Sequence, residues 1–184
     1  MLAPAGIKLT LQAAYNTPEV AETGMTFIEN ALLKARNACQ YSKLPAIADD
    51  SGLLVDSLQG EPGLYSARYA GAHATDQENI EKLLNKMLQL PPDSTRAAKF
   101  YCVIVLLNHM HDVQPKIFEA VWHGEILTKP QGSLGFGYDP IFWLPSHNCS
   151  AAELTMSQKN NISHRAQAMQ QLIDYLCVNK QQFP

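Results

Sequence analysis

Apolar residues recur at helical spacing in two parts of the chain. Ile28, Leu32, Ala35 and Cys39 form one stripe, and Thr26 and Glu29 ahead of it have the spacing of a capping box. The pattern predicts a helix from about Thr26 to Ser42. Thr75-Asp76-Gln77-Glu78 repeats the box, Ile80, Leu83, Leu84 and Met87 line the helix behind it, and Pro91-Pro92-Asp93 ends it. Lys99 to Leu107 and Ile117 to His123 are β-branched and aromatic, so they read as strands, with Asn108 to Pro115 as a hairpin-like link. Shorter runs at Ile7 to Gln12, Ala46 to Ala48 and Pro140 to Trp143 read as further strands, and Ser163 caps a last helix reaching about Val178. With no internal repeat, low-complexity tract or linker, the pattern predicts one α/β domain over residues 1–184.

Composition fits a folded chain and removes several partners. Of 184 residues, 46% are hydrophobic and 17% charged, which is globular and not disordered. A net charge of −3 and a pI near 6.0 argue against a broad nucleic-acid footprint, while a local cluster of cations suffices for a small anion. The longest apolar run, Cys102 to Leu107, is far too short to cross a bilayer. The opening Met1-Leu2-Ala3-Pro4-Ala5-Gly6 lacks the basic and apolar regions of a secretory signal. Cys39, Cys102, Cys149 and Cys177 are widely spaced, as reduced thiols of a cytoplasmic protein would be, with a disulfide the alternative that their even number leaves open.

Chemistry concentrates in a few segments. The apolar run Ala46-Ile47-Ala48 stops at Asp49-Asp50, and Ser51-Gly52 reads as the turn that ends the strand, placing both acids at the mouth of a sheet. Adjacent carboxylates repel, so they need a cation, a shared proton or solvent, and hard oxygen ligands favour Mg²⁺. An ordinary solvated turn is the alternative. Gly132-Ser133-Leu134-Gly135-Phe136-Gly137-Tyr138-Asp139 places three glycines around two aromatics, suited to stacking on a base, or to a tight turn with two core rings. Ser163-His164-Arg165 opens a helix where backbone N–H groups and a guanidinium can converge on an anion, with Lys159 just upstream, or where a plain Ser cap precedes exposed basic residues. Glu22 and Glu29 flank a helix start, within reach of a metal or as plain capping acids.

Five segments occur in the order of one family: Glu22 to Ala31, Ala48-Asp49-Asp50-Ser51-Gly52-Leu53, Pro62-Gly63-Leu64-Tyr65-Ser66-Ala67-Arg68-Tyr69, Gly135-Phe136-Gly137-Tyr138-Asp139-Pro140 and Ser163-His164-Arg165. Over essentially its whole length the chain resembles the inosine triphosphate pyrophosphatases, bacterial house-cleaning enzymes for dITP and XTP. The resemblance implies an elongated mixed β-sheet flanked by helices, in two lobes with a central cleft. It also implies a homodimer and Mg²⁺-dependent hydrolysis of a non-standard purine nucleoside triphosphate (dITP, ITP or XTP) to monophosphate and pyrophosphate, without a nucleic-acid or membrane partner. A Maf-like nucleotide pyrophosphatase would share the metal and the reaction, but not the Gly-Phe-Gly-Tyr-Asp and Ser-His-Arg segments.

The match implies Asp50 as catalytic carboxylate and metal ligand, with Asp49 beside it and Glu22 as the acid near the metal. Ser51, Phe136, Gly137, Tyr138, Asp139, Lys159, His164 and Arg165 match the substrate contacts. One departure stands out. The family begins with a strand and a Ser/Thr-x-Asn-x-x-Lys phosphate loop, which has no counterpart here. Asn79 to Lys82 is the sequence's Asn-x-x-Lys, but it sits inside a predicted helix, with Gln77 where Ser or Thr is needed. The resemblance therefore implies a chain shortened at its start, for which a nucleotide-binding or dimer-forming fragment is the alternative to an active enzyme.

Overall fold

The two capping boxes are where the first two helices begin. In a computed structural model, which describes residues 6–179, α1 spans Phe27–Ser42, with the Thr26 side chain accepting from the Glu29 N–H. α2 spans Asp76–Leu88 behind Thr75, and there Glu78 returns the bond to the Thr75 N–H. Each box satisfies backbone donors that a helix start leaves without partners. A third box, Thr155 with Gln158, opens the short α3 (Met156–Ile162), which the sequence pattern did not predict. α4 follows as His164–Val178.

The strands are β1 (Ala46–Val55), β2 (Ala97–Leu107), β3 (Lys116–Ile126), β4 (Phe142–Leu144) and β5 (Cys149–Ser150), joined in the order β1-β2-β3-β4-β5. β3 pairs with β4 antiparallel, setting Glu125 against Trp143, and β4 pairs with β5 in the same sense. The chain is thus mixed α/β, as expected. Three expectations need correction. Ser51-Gly52 does not end β1; Leu53, Leu54 and Val55 resume the apolar run and carry the strand three residues further. Pro140 and Ile141 belong to a 3₁₀ turn (Asp139–Ile141), and extended backbone begins only at Phe142. Ile7 to Leu11 is not a strand, because alternation names a face but supplies no hydrogen-bonding partner; Leu9 and Leu11 are exposed. That segment instead lines a cavity of about 560 Å³ with Ala46, Ile47 and Ala48 of β1. Met1 to Ala5, part of the opening discussed above, lies outside the described residues.

The chain divides into two compact units, and β1, β2 and β3 contribute residues to both. One unit comprises residues 51–101 and 121–164. Its core gathers Leu53 and Val55 of β1, Ile80 and Leu83 of α2, Phe100, Trp122, Phe142 and Leu144. The rings of Phe100 and Phe142 lie 4.6 Å apart in a tilted arrangement, a geometry aromatic pairs prefer. The other unit contains residues up to 50, 102–120 and 165 onward. Its core places Cys102, Ile104 and Leu106 of β2 and Phe118 of β3 against Ala168, Leu172 and Leu176 of α4. From Cys102 to Leu107 every residue of β2 is buried, which is why that stretch reads as a continuous apolar run. All four cysteines are free thiols. No helix among the described residues is long and apolar enough to cross a membrane.

Candidate active site

β1 separates its two acids. Neighbouring residues on a strand point to opposite faces, and Asp49 and Asp50 each find a cation of their own. Asp49 Oδ2 accepts from Arg165 Nε at 3.1 Å and Nη2 at 2.9 Å. Asp50 Oδ1 lies 2.7 Å from Lys34 Nζ, whose other contacts are Glu22 Oε1 at 2.8 Å and the Asp49 carbonyl at 3.0 Å. The repulsion expected of adjacent carboxylates is removed by geometry together with two separate cations.

The Asp50 cluster is assembled by α1. Asn30 and Lys34 are one helical turn apart and so share a face. Asn30 is buried; its Nδ2 approaches Asp50 Oδ2 at 3.4 Å, and its Oδ1 accepts from the Gly24 N–H at 2.8 Å. A side chain at position 24 would meet Asn30 Oδ1 at 2.7 Å, so only glycine lets the chain close on that amide. Glu29 is spent on the helix start, accepting from the Met25 N–H and the Thr26 hydroxyl, whereas Glu22 reaches the cluster through Lys34.

Charges tune one another here. Burial pushes the Asp50 carboxyl above its ordinary range; the hydrogen bond and charge of Lys34 pull it down, Glu22 raises it and Asn30 lowers it, and burial prevails. For Lys34, burial lowers the ammonium, but hydrogen bonds to Asp50 and Glu22 outweigh it and leave the group above its usual value. Arg165 is likewise lowered by burial and raised further by Asp49, with a net rise. Lys34 was missed in the sequence, where it reads as a charge beside an apolar stripe.

In the other unit, the loop from Gly135 to Asp139 is built around a buried carboxylate. Asp139 is 2% exposed, and its Oδ2 accepts from the Phe136 N–H at 2.8 Å and pairs with Lys159. Lys159 Nζ also stands 4.4 Å from the centre of the Phe136 ring, whose outer side is exposed. Tyr138 is buried, with its hydroxyl donating to the Ser66 carbonyl at 2.9 Å. Gly135 has φ +80, and a Cβ there would come within 2.1 Å of Asp139 Oδ2, so the position requires glycine on both counts. Phe136, Gly137, Tyr138, Asp139 and Lys159 are therefore one constellation. His164 is buried in the same unit and stacks on Phe100 at 4.9 Å and Trp122 at 6.2 Å. The Ser66 turn (Gly63–Arg68) is held by Asn79, whose side chain accepts from the Ala70 N–H and donates to the Ala67 carbonyl. That occupation explains why Asn79 to Lys82 is a helical packing element. Ser51 lies within β1, immediately after the two acids.

Whether the acids suit a divalent cation can be judged from their donors. Glu22 and Asp50 supply hard carboxylate oxygens that already converge on one cationic nitrogen, which fits a metal that joins one or two carboxylates to phosphates. Among the described residues no group of three or more His, Cys, Asp and Glu forms a self-sufficient metal cage.

Known proteins resemble this chain over nearly its full length. A dITP/XTP pyrophosphatase of Vibrio cholerae is 54% identical over 172 residues, covering 94% of this chain and 86% of the relative. One from Photorhabdus laumondii is 53% identical, covering 96% and 89%. Among solved structures, a HAM1 protein from Coxiella burnetii superposes with a TM-score of 0.90 at 48% identity, covering 95% of this chain and 92% of that one. The Staphylococcus aureus Ham1 protein gives 0.82 at 46%, covering 89% and 83%. The profile of the Ham1 family matches residues 1–175, and with these identities over nearly its full length the chain belongs to that family.

Proposed function

We infer that this Ham1-family protein hydrolyses non-standard purine nucleoside triphosphates, dITP, ITP and XTP, to the monophosphate and pyrophosphate, and so cleanses the nucleotide pool. Identity above 50% to dITP/XTP pyrophosphatases supports the reaction class. The observation that carries the site is the convergence of Asp50 and Glu22 on Lys34.

Water attacks the α-phosphorus, the bond from that phosphorus to the bridging oxygen breaks, and pyrophosphate leaves. Asp50 is the catalytic carboxylate, and Lys34 draws its carboxyl down against the pull of burial. A divalent cation, Mg²⁺ by the hardness of the donors, would be held by Asp50 and Glu22 and would supply Lewis acidity and charge neutralisation at the phosphates. Lys34, Lys159 and Arg165 offset anionic charge that a chain of net charge −3 could not otherwise meet. Base recognition belongs to the Gly135–Asp139 loop, with Phe136 offering an exposed ring face and Tyr138, Asp139 and Lys159 holding it. Ser51 and His164 complete the substrate contacts. A pocket built on polar partners rejects the wrong base strongly, because mismatched groups stay buried and unpaired.

The test is pyrophosphate release from dITP in Mg²⁺, against the same assay in EDTA. Asp50→Asn is expected to lose at least ~100-fold in kcat while keeping its circular dichroism spectrum. A variant that retains a tenth of the rate, a loss of only ~1.4 kcal/mol, overturns the role of Asp50.

A further inference from the structure

Gly137 sits in the left-handed region at φ +58, between an exposed ring at Phe136 and a buried one at Tyr138. Gly137 is half-buried, and its N–H has a partner at the surface. It donates to Asp76 Oδ2 at 2.6 Å, a bond that crosses 61 residues of sequence. Asp76 is the first residue of α2, directly behind the Thr75 cap. The loop therefore has two carboxylates on successive amides: Asp139 takes the Phe136 N–H from within, and Asp76 takes the Gly137 N–H from outside.

The same helix reaches the loop by a second route. Asn79, 3% exposed, fixes the turn that contains Ser66 through Ala67 and Ala70. The Ser66 carbonyl in turn receives the Tyr138 hydroxyl. Residues 137 and 138 are thus both registered against the first turn of α2. A glycine at positive φ has wide conformational freedom, so an external tether matters more there than at a position fixed by its own side chain.

We propose that Asp76 is a positioning residue for nucleobase recognition, fixing the Gly135–Asp139 loop in the shape that discriminates the base. The proposal rests on the reading of that loop as the base-binding segment. It concerns orientation alone; Asp76 acts through Gly137.

The test compares Asp76→Ala, Asp76→Asn and Glu78→Ala in the full chain. The readouts are KM and kcat for dITP, the dITP-to-dATP ratio of kcat/KM, and hydrogen-exchange protection at the Gly137 amide. Asp76→Ala is expected to lose that protection, to raise KM for dITP about ten-fold, as loss of a charge-assisted hydrogen bond implies, and to narrow the base ratio. Its kcat should stay within about threefold, since the tether bears on binding and not on the α-phosphorus. Asp76→Asn keeps an accepting oxygen and restores most of the KM. Glu78→Ala weakens the same helix start without touching Gly137; an equal rise in KM from it would mean that helix stability is responsible and would overturn the proposal. Unchanged protection in Asp76→Ala overturns the tether and leaves the base-loop reading standing. Lost protection with unchanged KM and base ratio overturns the base-loop reading, and the proposal with it.

Discussion

Lys34 lies 2.7 Å from Asp50 Oδ1, so a cation supplied by the middle of α1 meets the acid in β1 and offsets part of the rise that burial imposes on it. The pairing has a predictable pH signature. Asp50 is raised chiefly by burial, and Lys34 counteracts that rise, so Lys34→Met should raise the carboxyl further. The acid limb of kcat/KM, or the pH midpoint of the Asp50 carboxyl carbon shift by NMR where turnover is too low, should move upward. A raised folded-state value means that the group's contribution to stability is fully present below its unfolded value and is lost as pH rises through the folded one. The melting temperature of Lys34→Met should therefore fall furthest below that of the parent near neutrality, and the gap should close on acidification. A limb that shifts downward contradicts the assignment.

The loop makes a sharper demand on one glycine. At position 135 a methyl group meets Asp139 Oδ2 at 2.1 Å, and the backbone is left-handed as well. Gly135→Ala should dislodge Asp139 from the Phe136 amide and Lys159, and raise KM for dITP at least ten-fold. The backbone strain itself costs about 1–2 kcal/mol. Melting and steady-state kinetics on one preparation separate the two effects. A KM near that of the parent would show that the loop tolerates displacement of its carboxylate.

Gly124 offers the opposite contrast. It sits in β3 next to the Glu125 pairing with Trp143, and a Cβ would lie 2.4 Å from the Trp143 carbonyl and 2.7 Å from the Phe142 ring. Gly124→Ala overfills a core position, which typically costs about 1–3 kcal/mol. The expected result is a lower melting temperature with kcat and KM at 25 °C close to parental values. A large kinetic defect without thermal loss would refute the purely packing role.

The sequence read most clearly where a rule acts over three or four residues. The boxes at Thr26 and Thr75 placed two helix starts, and the apolar run after Cys102 marked a strand buried on both faces. Asp50, Lys159 and the Gly135–Asp139 loop stood out as candidate chemistry only through the ordered segments shared with a family, since each alone reads equally well as turn or cap. What escaped were partners distant in the chain. Lys34 lies 16 residues from Asp50, and helical spacing fixes its face without naming what that face meets. Asp76 looked like an ordinary acid in a first turn, while its partner amide is 61 residues away. The divergence of Asp49 from Asp50 was available from strand alternation, but it was hidden by reading Ser51-Gly52 as a turn.

The stack of His164 on Phe100 and Trp122 gives the protein an optical reporter. Trp122 is 7% exposed and lies 6.2 Å from the imidazole that opens α4, so its indole emission is set by an apolar cage of which His164 is one wall. Any event that shifts that imidazole changes the quenching of the more buried of the chain's two tryptophans. A displacement of the start of α4 therefore becomes visible in the ultraviolet, on the unlabelled chain, without waiting for turnover.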